Sequence, residues 1–105
     1  MSVLQITAEN FQSEVIKSPT PVLIDFFAVW CGPCSMISPV IDQLAEEVKD
    51  IKFCKVNVDE QPDIAAAFQI ASIPSLVLMK DGKVVQKAVG VRPKAQILEM
   101  LDEAR

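Results

Sequence analysis

The run Val22-Leu23-Ile24-Asp25-Phe26-Phe27 is apolar at every position but one and rich in strand formers. A short apolar run of this kind suits a central strand covered on both faces. Downstream, Ile37, Val40, Ile41, Leu44 and Val48 recur at helical spacing, with Asp42, Glu46, Glu47 and Lys49 mostly on the other face. This predicts a long amphipathic helix. Pro39 falls inside it, where a missing N–H and a ring clash predict a kink. From Phe53 to Val58 the period changes to two, with Cys54, Val56 and Val58 alternating against Phe53, Lys55 and Asn57. That pattern predicts a second strand, and strand, helix and strand so close together predict a right-handed βαβ unit.

The second half is punctuated by turn residues. Asp63 to Gln69, Ala-rich and following Pro62, predicts a shorter helix that ends before Ile73-Pro74. Ser75 to Lys80, then Asp81-Gly82, then Lys83 to Val89 reads as a hairpin, because Asp-Gly supplies the positive φ angles of a tight turn. Gly90 closes that strand, and Ile97, Met100, Leu101 and Ala104 give a last helix its apolar face. The order is βαβαββα, preceded by a strand over Val3 to Ile6 and a helix over Phe11 to Lys17. The expectation is an α/β protein, one domain over residues 1–105, with a mixed sheet packed between helices and no linker or repeat.

Composition narrows the chemistry. Half of the residues are hydrophobic and 23% are charged, which suits a compact core rather than a disordered chain. A net charge of -4 without any basic cluster argues against nucleic acid or an anionic membrane as partner. No apolar run approaches the roughly 20 residues of a membrane helix. The N-terminus lacks the charged and apolar regions of a secretory signal, so a cytoplasmic location is expected. There is no histidine, which removes imidazole bases, Cys-His pairs and His metal ligands together. Thiol and carboxylate chemistry remain.

The thiols are Cys31, Cys34 and Cys54. Trp30-Cys31-Gly32-Pro33-Cys34 places two of them within disulfide reach, but CxxC also serves zinc sites. A structural zinc site needs four ligands, and here there is neither a second CxxC nor a histidine. A purely structural bridge over so short a loop removes little unfolded-state entropy. Exchange chemistry fits better. Cys31 falls just before a predicted helix with Pro33 in its first turn, where unpaired N–H groups and the helix dipole favour thiolate over thiol. A thiolate is the attacking species in disulfide exchange, so Cys31 is read as nucleophile and Cys34, inside the first turn and less exposed, as resolving thiol.

Cys34 must lose a proton before it attacks. Asp25, flanked by Ile24 and Phe26, is the candidate base: burial would raise its pKa toward neutrality, and Lys55 on the adjacent strand would moderate the shift. The plainer reading of Asp25 is a satisfied structural acid at a strand bend. Cys54, alternating with Val56 and Val58, reads as a buried small hydrophobe.

With Asp25, Trp30-Cys31-Gly32-Pro33-Cys34, Pro39, Ile73-Pro74, Asp81-Gly82 and Gly90 in this order and spacing, the chain resembles the thioredoxin family essentially end to end. The resemblance implies a thioredoxin fold, a redox-active Cys31–Cys34 disulfide and a dithiol that reduces protein disulfides. It implies no bound cofactor and no metal. Electrons would come from an NADPH-dependent flavoprotein, thioredoxin reductase, and the protein would act as a monomer on diverse disulfide-containing proteins. It further implies a cis bond at Ile73-Pro74 facing the cysteines. Trp30, Gly32, Pro33, Ile73, Pro74, Gly90 and Val91 would form an apolar docking surface, in which ordinary packing is the plainer reading of Ile73 and Val91. Two departures bear on partners. Phe27 stands where a Trp is common, removing an indole N–H available to an acid such as Asp59, and Ser35 stands where Lys or Arg is common. A disulfide oxidase or isomerase, or a binding module without redox turnover, remains as an alternative on the same fold.

Overall fold

The structure, a computed structural model, describes residues 3–105. Five strands form one mixed sheet in the order β1-β3-β2-β4-β5. They are β1 (Leu4–Gln5), β2 (Val22–Phe27), β3 (Lys52–Asn57), β4 (Ser75–Lys80) and β5 (Lys83–Val89). β2 lies at the centre, parallel to β3 and antiparallel to β4, as its apolar run requires. Three helices, α1 (Gly32–Glu47), α2 (Pro62–Ala67) and α3 (Lys94–Leu101), join a π-helical segment at Gln12–Ile16 and a closing 3₁₀ turn at Asp102–Ala104.

Strand alternation divides the core between the two faces of the sheet. On one face Leu23, Phe53, Leu76 and Leu78 pack with Ile37, Ile41 and Leu44 of α1 and Ile97 and Leu101 of α3. On the other, Ile24, Phe26, Cys54, Val56 and Val77 pack with Val15 and with Ile64 of α2. The rings of Phe11 and Phe68 pack edge to face with centroids 5.9 Å apart, and Phe26 packs tilted against Phe68 at 5.5 Å.

Several boundaries differ from the expectations. β1 is two residues long, and the helix expected over Phe11 to Lys17 is the π-helical Gln12–Ile16. α2 starts on Pro62 and is over by Phe68, because Gln69 turns into the left-handed region at φ 56°. As expected, α1 is one helix with Pro39 inside it. Asp81 and Gly82 have φ of 55° and 76°, the two positive values of a type I′ hairpin turn.

Candidate active site

The site is built where β2 ends and α1 begins. Cys31 is the last extended residue before the helix, Gly32 and Pro33 open its first turn, and the Cys31 Sγ accepts a hydrogen bond from the Cys34 backbone N–H at 3.2 Å. Pro33 carries no N–H of its own, and the Cys34 N–H is the first-turn donor that reaches the sulfur. Cys31 and Cys34 are joined in a disulfide, with Cα atoms 5.3 Å apart. Both are buried, at 6% and 4% exposure. The expected contrast between an exposed and a sheltered thiol is therefore absent in the oxidised protein. The reason is the small apolar cluster that seals the bridge, in which Ala28 and the two cysteines pack against Phe27, Val58 and Ile73.

Asp25 lies behind the disulfide. Register sets it between Lys55 of β3 and Leu76 of β4, and all three side chains share the face covered by α1 because strand side chains alternate. It is 6% exposed, and its Oδ1 has no hydrogen-bond partner among the described residues. Burial pushes the Asp25 pKa from its ordinary 3.8 up to about 6; the Lys55 ammonium opposes the rise and the Asp42 carboxylate adds to it. The Lys55 ammonium lies 6.0 Å from the centroid of the Phe27 ring. Asp25, Lys55 and both cysteines line a cleft of about 370 Å³ with Ser35, Ser38 and Asp42 from α1. Of these three, sequence reasoning singles out only Ser35, for its bearing on partners, and misses Ser38 and Asp42 as site residues. The spacing from Ser35 to Asp42, three and then four residues, was the available signal, since it aligns the three on one helix face.

Of the remaining expected residues, Ile73 packs against the disulfide. Ile73-Pro74 is a cis peptide bond, and the Ile73 carbonyl lies 3.8 Å from the Cys31 Sγ. Pro74 is buried while Gly32, Pro33 and Val91 are exposed. Gly90, at φ 92°, donates its backbone N–H to the Pro74 carbonyl at 2.9 Å, which ties the end of β5 to the cis bond. Trp30 is 70% exposed, and its indole N–H donates to Asp59 at 2.7 Å. This corrects the inference drawn from Phe27: Asp59 does receive an indole N–H, and Trp30 supplies it.

A family model described as thioredoxin matches residues 2–103. The chain belongs to the thioredoxin family. A thioredoxin of Pyropia yezoensis is 47% identical over 104 residues, spanning 98% of this chain and 97% of its own. Thioredoxin 1 of Synechococcus elongatus is 46% identical over 99 residues, covering 93% and 92%. A thioredoxin of Mycobacterium bovis is 42% identical over 103 residues, covering 97% and 89%. As a thioredoxin-family protein with its cysteine pair closed into a bridge, the chain is a thiol-disulfide oxidoreductase with a redox-active CxxC. Among the described residues no His, Cys, Asp and Glu cluster could hold a metal ion, and no helix is long and apolar enough to cross a membrane.

Proposed function

We propose that the protein, acting as one domain over residues 1–105, is a cytoplasmic, monomeric reductase of protein disulfides. In the reduced protein the Cys31 thiolate attacks one sulfur of a substrate disulfide. A mixed disulfide forms and the first substrate thiolate leaves. Cys34 then gives its proton to Asp25 and attacks the Cys31 sulfur, breaking the mixed disulfide and releasing the second substrate thiolate. Two electrons pass to the substrate, and the Cys31–Cys34 disulfide is regenerated. The two thiols carry both electrons themselves, so no bound cofactor is needed. An NADPH-dependent flavoprotein reductase restores the dithiol.

The observation that carries this reading is the buried carboxyl of Asp25 in the same cleft as a disulfide at a helix start. A group with pKa about 6 can accept a proton near neutrality and release it to solvent afterwards. Lys55 limits how far that affinity rises. Substrate docks over Trp30, Gly32, Pro33, Ile73, Pro74, Gly90 and Val91, with the Ile73 backbone pairing to an extended segment beside the attacked bond. Gly-Pro between the cysteines favours the reducing direction. Incubation with NADPH, a thioredoxin reductase and a generic protein disulfide tests the proposal. NADPH consumption that depends on both protein and disulfide is expected; a dithiol that exchanges with thiols yet supports no coupled reduction would favour the oxidase or isomerase reading.

A further inference from the structure

The groups that face Asp25 come from three elements. β3 presents Lys55, β4 presents Leu76, and α1 presents a polar line of Ser35, Ser38 and Asp42 along the cleft wall. Asp42 is the one carboxylate among them, and it is exposed. Asp25 itself is more than nine-tenths buried and has an oxygen without a hydrogen-bond partner among the described residues, so the charges around this cleft act on it with little local compensation.

We propose that Asp42 is a positioning residue of the exchange reaction: from the helix side of the cleft its negative charge counters Lys55 on the sheet side and keeps Asp25 able to take up the Cys34 proton near neutral pH. This rests on the reading of Asp25 as proton acceptor. Like charge across the cleft disfavours ionised Asp25, and opposite charge favours it. With Asp42 present the two charges oppose each other; without it, Lys55 alone works against the dominant effect of burial, and Asp25 ionises at lower pH. An already ionised Asp25 still accepts a proton, but it is a weaker base at the working pH.

The test follows the Asp25 side-chain carboxyl by ¹³C NMR across pH in the oxidised protein, with Asp25→Asn assigning the signal, and the pH profile of disulfide reduction in parallel. Asp42→Asn should lower the Asp25 midpoint by about half a pH unit, the size expected when one of the two charges is exposed and screened by solvent. The rate profile should move the same way, and high salt should shrink the difference. Returning the charge one turn away, with Ser38→Asp on the Asp42→Asn background, should restore the midpoint. An unchanged midpoint in Asp42→Asn overturns the inference. A fall that Ser38→Asp does not reverse and salt does not reduce also overturns it, because the effect would then be structural. If Asp25→Ala leaves the rate profile intact, the Asp25 reading itself fails and takes this inference with it.

Discussion

Replacing Asp25 by Ala should make the protein more stable at neutral pH while slowing it as a catalyst. A carboxyl with an ordinary pKa of 3.8 that titrates at about 6 in the fold binds its proton more tightly when folded than when unfolded. Its contribution to stability is therefore fully present below the unfolded value and is lost as pH rises through the folded one. The separation is about 2 pH units, and at 1.36 kcal/mol per unit the ionised group costs about 3 kcal/mol above pH 7. About 1 kcal/mol of that is already lost at pH 4.5, so the change between pH 4.5 and pH 8 is about 2 kcal/mol. Asp25→Ala also loses packing, but that loss does not depend on pH and cancels in the comparison. Denaturant unfolding of oxidised wild type and variant, followed by far-UV circular dichroism at the two pH values, measures the double difference. A variant that gains about 2 kcal/mol relative to wild type on going from pH 4.5 to pH 8 supports a desolvated acid. A double difference of zero, or one of opposite sign, would refute the burial argument.

The remaining predictions are more local. Cys34→Ser should accumulate covalent complexes with substrate on non-reducing gels while Cys31→Ser accumulates none; trapping by both alike would contradict the division of roles. Gly90→Ala should lose about 1–2 kcal/mol in denaturant titration, because φ is 92° there and a Cβ meets nothing within 4 Å; an unchanged midpoint would remove the strain argument. Cys54 is fully buried on the sheet face away from the site, and burial pushes its thiol up to about 12. Cys54→Ser should therefore lower stability by about 1–3 kcal/mol with coupled reduction unchanged, and a loss of rate would give Cys54 a part in exchange. Trp30 is the sole tryptophan, and it adjoins the bridge, so its fluorescence should change on reduction in step with thiol titration.

What could be read from the chain depended on whether the information was periodic. The apolar run of β2, the two-residue period of β3 and the Asp-Gly turn each have a local physical cause, and each element lies within a residue of its expected place. Asp25 was legible for the same reason, as a charge interrupting a strand that must be buried. Asp42 was not. Helical periodicity assigns it to the side away from the core, and so it is exposed; that this side leans over the cleft depends on how α1 crosses the sheet. Trp30 presents the same difficulty, because its bond to Asp59 spans 29 positions between two loops. The short β1 and the early end of α2 were hidden by a third cause, since tertiary packing and a single left-handed residue decide where short elements stop.

The most direct measurement is a single-turnover reaction of the reduced protein with a protein disulfide, quenched with acid and resolved for the mixed disulfide. In Asp25→Ala the mixed disulfide should form at the wild-type rate, because Cys31 does not depend on Asp25. Its resolution by Cys34 should slow at least tenfold, as expected when a positioned base is removed. Equal slowing of both steps, or no slowing of the second, would contradict the account in which Asp25 serves Cys34.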